Sequence, residues 1–415
     1  MAEQLGMEDV ESFRLRARGW LKENMPRQPE RRGPIQPGDD DQEWLRAREL
    51  QKMLYAGGFA GICFPTEYGG LGLTPAHQRA FTEESRGYEM PLLLNVPTFS
   101  ICAPTVLDMG SEKQKRERIS AVIRGEEVMV QFLSEPKGGS DLAGVVTRAT
   151  RDGDVWVLNG AKIWSTSAYA ADWALCLART DWDAPKHRGL TMFLVKVHQP
   201  GITLRRIKMV NGSTEFCEEF FDDVILPADA VVGEINGGWA VATRQLVHER
   251  TAVGGGSPYV SGEGRPNLQA PGYDFVDLAR RTGQANDPRV RELVGEAWAM
   301  QKVQEQLIDR VMAGMAHGHL PGPAVSITRM FHAEADWKNA DTGVRIAGSA
   351  AVTGRPGEAG PLDYGQQYLS RQSASLGGGS TEMSRNIISE RLLGMPREYA
   401  ADRDVPFKDV AQGRT

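Results

Sequence analysis

The stretch QFLSEPKGGSD, Gln131 to Asp141, stands where the chain changes its period. From Met1 to about Ile123, apolar residues recur at three and four spacing in FRLRARGWLKENM, WLRARELQKMLYAGG and AHQRAFTEESRGY, which predicts helices. From about Glu126 the period becomes two. VWVLNGAKIW reads as a hairpin with Asn159-Gly160 in a type I′ turn, and ADWALCLART, LTMFLVKV, ITLRRIK and EEFFDDVIL read as further short strands. After about Gly237 the helical spacing returns, in WAVATRQLVHERTAV and in the long run from Asp287 to Ala316. The expected class is therefore α+β: an N-terminal α-helical domain over 1–125, a middle antiparallel β-barrel domain over 126–236, and a C-terminal helical bundle over 237–415. Two loops interrupt the helices. RQPERRGPIQPGDDD is polar and rich in proline, and Ser257–Gly272 is dense in glycine and proline, which predicts a long exposed loop.

Composition excludes several classes. With 48 Lys+Arg against 54 Asp+Glu, the net charge of −6 gives no electrostatic case for nucleic acid. No apolar run approaches the roughly 20 residues of a membrane span. The amino terminus, MAEQLGMEDVESFRLRARGW, has neither the apolar region of a secretory signal nor the acid-poor composition of a transit peptide. Cys63, Cys102, Cys176 and Cys217 are scattered without CxxC spacing, and His317 and His319 read as surface residues, so no metal centre is expected. Reduced core cysteines in a cytoplasmic protein are the expectation.

Three segments have the composition of ligand-binding elements. In QFLSEPKGGSD, Ser134 and Ser140 offer hydroxyls while Gly138 and Gly139 let a backbone approach a ligand closely. GAKIWSTS sets Trp164 beside Ser165, Thr166 and Ser167, although a lone tryptophan in a strand ordinarily belongs to the core. In LGGGSTEMSRNIISERLLGMP, three glycines precede Ser380 and Thr381 at the start of a helix; a simple N-cap accounts for one hydroxyl but not for the glycines. A fourth stretch, VHERTAV, pairs Glu249 with Arg250, as either a solvated helix carboxylate or an active-site base.

Together with FPTEYGGLGL and EEFFDDVILPADAVVG, these segments in this order resemble the acyl-CoA dehydrogenase family of flavoproteins over almost the whole chain. The resemblance implies FAD held between the middle domain and the helical domains. Leu133, Ser134, Gly139 and Ser140 would lie against the isoalloxazine, with Ser140 also near substrate. Trp164 would pack on the ring, Ser165 and Thr166 would bond its pyrimidine edge, and Ser380 and Glu382 would contact FAD. Arg281 resembles the arginine that reaches a neighbouring subunit's FAD. The implied partners are an acyl-CoA substrate, an acceptor of the electron-transfer flavoprotein type, and further subunits in a homo-oligomer, dimer or tetramer, or a hetero-oligomer.

The implied reaction is α,β-dehydrogenation of a CoA thioester: a carboxylate takes the α-proton while a hydride leaves the β-carbon for the flavin. Many members carry that carboxylate at the position of Gly378, which has no side chain. A smaller group, resembling the isovaleryl- and long-chain enzymes, carries it on the helix after the β domain, immediately before an arginine, and Glu249-Arg250 matches that placement. The resemblance thus implies Glu249 as base, the Gly378 N–H as a donor to the thioester oxygen, and Arg250 as an anchor of the helix or a contact for CoA that also tends to keep Glu249 ionised. Neighbouring families on this scaffold are oxidases and monooxygenases, and a non-catalytic subunit of a hetero-oligomer is the alternative of another kind.

Overall fold

The computed structural model describes residues 7–28, 40–253, 256–262, 274–353 and 361–410. In the N-terminal part, the Val10–Asn24 helix starts at Asp9, whose carboxylate accepts the N–H groups of Glu11 and Ser12 at 3.1 and 3.0 Å. Its residues Phe13, Ala17 and Leu21, four apart, are buried on one face. Phe13 meets Phe59 at 5.7 Å, and Phe59 stacks on Phe81 of the Pro75–Glu84 helix at 5.4 Å. Among the described residues, Leu92–Met109 is apolar and long enough to cross a membrane by composition, but 67% of it is buried inside this fold.

The middle part is one sheet of eight strands: β1 (Met129–Phe132), β2 (Arg148–Asp152), β3 (Val155–Thr166), β4 (Trp173–Arg179), β5 (Leu190–Lys196), β6 (Ile202–Arg206), β7 (Phe216–Pro227) and β8 (Val231–Val232). Their spatial order is β6-β7-β3-β2-β4-β5-β8, with β1 lying parallel to β4. The sheet is mixed, not wholly antiparallel. In β4 and β5 nearly every residue is buried, because helices cover this layer and leave no solvent face to alternate toward.

The expected hairpin at Asn159-Gly160 is not there. β3 runs straight through it, and the turn lies earlier, at Gly153 (φ +56°) between β2 and β3. Asn159-Gly160 instead forms a bulge against β7. The Asn159 amide reaches across to Asp223, donating to its carboxylate and accepting its N–H, both at 2.9 Å. Gly160 has φ +144°, and a Cβ there would come within 2.8 Å of the Thr147 Cα. Asn-Gly chemistry supports a bulge as well as a turn, and sequence spacing does not separate the two.

The C-terminal helices Pro288–Ala316, Val325–Ala347 and Pro361–Ser370 enclose a smaller core that includes Leu278, Val290, Ile346 and Tyr364. Of the predicted exposed loop Ser257–Gly272, residues 263–272 lie outside the described residues, as do 29–39 of the polar N-terminal loop. The part of the first loop that is described is packed and not exposed. Tyr259 lies 4.6 Å from Phe64, its carbonyl accepts the Ser100 hydroxyl at 2.8 Å, and the Ser261 N–H donates to Asn95 at 2.7 Å.

Gly160→Ala should destabilise the protein by about 1–3 kcal/mol, since the added methyl meets the Thr147 backbone, which has no side-chain freedom to give way. A lower urea midpoint with an unchanged slope is the expected result.

Candidate active site

β1 leads directly into the Leu133–Ser140 segment, and a buried ion pair fixes its course. The Lys162 ammonium on β3 donates to Glu135 and to the Leu133 carbonyl, each at 2.9 Å. Glu135 also accepts the N–H groups of Val146 and Thr147 at 2.7 and 2.9 Å. Burial alone would raise the Glu135 pKa, but the Lys162 charge and these donors hold it below the usual carboxylate range. The Ile163 N–H donates to the Ser134 carbonyl at 3.0 Å, and Glu135 and Gly138 close a two-bond turn. As a result Leu133 is buried, Ser134 is half-buried, and Gly139 and Ser140 stand exposed at the rim.

Trp164 does not join the core. It occupies a second bulge of β3 with φ +66°, is 51% exposed, and meets Phe216 edge-on at 5.9 Å. A half-exposed indole forgoes much of its favourable burial, and its free face suits a flat heterocycle. Ser165 points the other way. It is buried, and its hydroxyl donates to Glu219 at 2.9 Å, so the hydroxyl expected at the cofactor edge is engaged within the protein. Burial pushes the Glu219 carboxyl up to about 8, against the opposing pull of Ser165 and Lys162. Thr166 is half-buried beside them.

Glu249 lies near the end of the Gly238–Val253 helix, half-buried. Gln131 on β1 donates to its carboxylate at 3.2 Å, and the Gly378 N–H donates to it as well. Burial raises its pKa, outweighing Gln131, Arg250, Arg329 and the Gly378 donor. The expectation that Arg250 offsets burial is met only in direction, because burial is the larger effect. Gly378 and Gly379 have φ of +72° and +93°, so both need to be glycine for backbone reasons. Arg329, almost fully buried on the Val325–Ala347 helix, holds this turn by donating to the carbonyls of Ala374, at 2.7 Å, and Gly377. A Cβ on Gly378 would lie 3.3 Å from Val253 and 3.6 Å from the Arg329 Nε.

The fold thus gathers Gln131, Glu249, Arg329 and Gly378 into one cluster, and joins the Leu133–Ser140 segment to β3 beside Trp164. Ser380 caps the Thr381–Ile387 helix by accepting the Met383 N–H at 3.2 Å, and Glu382 is exposed with its pKa lowered by backbone and Ser380 hydrogen bonds. Arg281 lies elsewhere, exposed on the Phe275–Arg281 helix and paired with Asp277 at 2.7 Å. Gln131, Arg329, Glu135, Lys162 and Glu219 were not singled out from the sequence. Only Glu135 and Lys162 carried a signal, as charges placed where strands enter a core.

The fold and this cluster identify the class. Models of the acyl-CoA dehydrogenase N-terminal, middle and C-terminal domains match residues 7–126, 131–224 and 236–393, and the chain belongs to the acyl-CoA dehydrogenase family of oxidoreductases, whose members are in general FAD-dependent. Among its relatives, the acyl-CoA dehydrogenase IpdE1 of Mycobacterium tuberculosis is 36% identical over 400 residues, covering 94% of this chain and 99% of that protein. Of solved structures, one described as the Tcur3481-Tcur3483 steroid ACAD superposes with a TM-score of 0.74 at 28% identity, covering 94% of this chain and 99% of that one. The ChsE4-ChsE5 complex from Mycobacterium tuberculosis gives 0.72 at 25% identity, covering 95% and 100%.

Glu219 generates a test of the buried polar layer. Its carboxyl titrates near 4.5 when unfolded and near 8 when folded, so the unfolded chain sheds the proton first as pH rises. The stability it contributes is complete below pH 4.5 and is lost as pH rises through 8. Melting temperature in Glu219→Gln should therefore fall less than in the parent between about pH 5 and pH 8.

Proposed function

We propose that this chain is an FAD-dependent dehydrogenase of a bulky, sterol-type acyl-CoA thioester, with Glu249 as its base. The observation that carries the reading is the Glu249 carboxyl itself: half-buried, held by Gln131, raised in pKa, and set against the Gly378 turn. A general base works best when its pKa lies near the working pH, and burial supplies that lift while Gln131 and two guanidiniums limit it. In this reading Glu249 takes the α-proton onto a carboxylate oxygen. The Gly378 N–H, which donates to Glu249, is assigned to the thioester oxygen, where negative charge develops.

The exposed indole of Trp164, the Leu133–Ser140 segment, Thr166 with the Ser165 backbone, and Ser380 with Glu382 are assigned to the cofactor. FAD bound there supplies the electron sink for the β-hydride. Ser140 and Arg250 are assigned to substrate. The likeness to a structure described as a steroid ACAD supports a ring-bearing acyl group. We further assign the chain to the cytoplasm, with an electron-transfer flavoprotein as acceptor and domain borders at 125/126 and 236/237. It would work as a homotetramer, with Arg281 reaching a neighbouring subunit, or as one half of a hetero-oligomer. The second form has support in the two-chain name of the ChsE4-ChsE5 relative.

The test is an anaerobic titration of the flavin-loaded protein with short, branched, long and steroid-bearing CoA thioesters, following the visible flavin band. Bleaching by the steroid-bearing class is expected; no bleaching by any class would remove the dehydrogenase reading. Glu249→Gln should keep its flavin and lose bleaching by more than about a hundredfold in rate. Trp164→Ala should lose flavin on gel filtration, and a fully loaded variant would contradict the stacking role.

A further inference from the structure

Glu219, on β7, is fully buried, and the fold does not give it what a buried carboxylate needs. One oxygen accepts the Ser165 hydroxyl at 2.9 Å, while the other is sealed from solvent without a hydrogen-bond partner among the described residues. Lys162 stands opposite it across the β3–β7 pair, but that ammonium already serves Glu135 and the Leu133 carbonyl, each at 2.9 Å. From β6 the residue in register with it is Leu204. The other titratable groups that face it are Glu218 on its own strand and the thiols of Cys217 and Cys176, none of them a cation. A buried carboxylate with no cation of its own is too costly to keep ionised, so Glu219 is a neutral acid in this fold.

Its one partner sits at a decisive place. Pairing between β3 and β7 runs Ile163 with Glu218 and then Ser165 with Cys217, so Trp164 is the extra residue of the bulge. Its φ of +66° is rare for a bulky side chain, and such a conformation persists only where its neighbours fix it. Ser165 is the neighbour, and its hydroxyl is tied to Glu219. Ionising Glu219 would disturb a second hold as well. A new anion beside Lys162 competes for the ammonium that bonds Glu135 and the Leu133 carbonyl, and with it for the course of the Leu133–Ser140 segment.

We propose that Glu219 is a positioning residue for the flavin: as an uncharged acid bonded to Ser165 it fixes the bulge that presents Trp164, and it leaves Lys162 to hold the Leu133–Ser140 segment. This rests on the cofactor assignment above, and Glu219 acts through Ser165 and Lys162, not by contact.

The experiment follows FAD released on dilution of the flavin-loaded protein, by its fluorescence, from about pH 6.5 to about pH 9.5, in the parent, Glu219→Gln and Glu218→Gln. Glutamine keeps the shape, accepts from Ser165 and does not ionise, and melting temperature checks that each variant is folded. The uncharged form of Glu219, whose carboxyl is pushed up to about 8, is the one that holds flavin, so affinity is full below that pH and falls as pH rises through it. The parent's FAD dissociation constant should rise roughly tenfold between about pH 7 and about pH 9, Glu218→Gln should follow it, and Glu219→Gln should keep its affinity throughout. Titration of the flavin itself is common to all three proteins and cancels. Ser165→Ala, which cuts the same link without changing a charge, should bind FAD several-fold more weakly already at neutral pH. A parent profile without this fall, the same fall in Glu219→Gln, or parental affinity in Ser165→Ala would overturn the proposal. If the profiles behave as expected while no thioester bleaches the flavin, Glu219 keeps its role and the dehydrogenase reading fails. Bleaching without the pH-dependent loss would keep that reading and remove Glu219 from it.

Discussion

The buried Lys162 ammonium is the constraint from which the site is built. It is fully shielded from solvent, bonded to Glu135 and to a backbone carbonyl, and within electrostatic reach of Glu219. Burying a charged pair costs several kcal/mol per ion before attraction repays it, so such a pair is poor evidence for stability alone. What it does here is geometric. Glu135 has its oxygens taken by Lys162, Val146 and Thr147, which leaves the Leu133–Ser140 segment one course to follow. Lys162 stabilises one ionised carboxylate, and the second, Glu219, is left neutral over most of the physiological range.

From that frame the two faces of β3 separate. Ser165 turns inward to Glu219, and the bulge just before it turns Trp164 out. A one-residue bulge therefore decides which of two adjacent side chains is structural and which is available to a ligand. The same economy governs Glu249. Because Gly378 and Gly379 both sit at positive φ, that turn can approach the helix closely, and Arg329 pins it there. A carboxylate carried on the helix and a bare backbone donor on the turn then meet without sharing a residue.

Much of this was legible in the residues. Helix periodicity, the switch to period two and the glycine-rich turns gave three parts in the right order, and Glu249-Arg250 stood out because it matched the placement of the base in the subgroup the chain resembles. The misreadings have physical causes. Asn159-Gly160 satisfies a turn and a bulge equally, and the choice was made by Asp223 and Thr147, 64 and 13 residues away in sequence. That Trp164 faces outward came from the resemblance and not from the strand pattern, which carries no information about bulges. Gln131 and Arg329 were invisible, since a single glutamine and a single helical arginine acquire a role only when the fold brings them to Glu249. The segment 394–410 has no helical or strand periodicity, so nothing in its sequence indicated that Phe407 would bury itself against Arg179 of β4 and Trp182 in the following loop.

The chain as a whole is negative, at −6, yet Arg391, Arg250 and Arg329 mark one path past Glu249, Arg391 acting on Arg250, and Arg250 and Arg329 on the carboxylate. A local positive field on a negative molecule focuses anions to that path and repels them elsewhere. The same field acts on the base. Arg250 and Arg329 lower the Glu249 pKa, against the larger upward push of burial. The base is thus tuned from both sides, by Arg250 next to it in the helix and by Arg329 on the Val325–Ala347 helix that also holds the Gly378 turn.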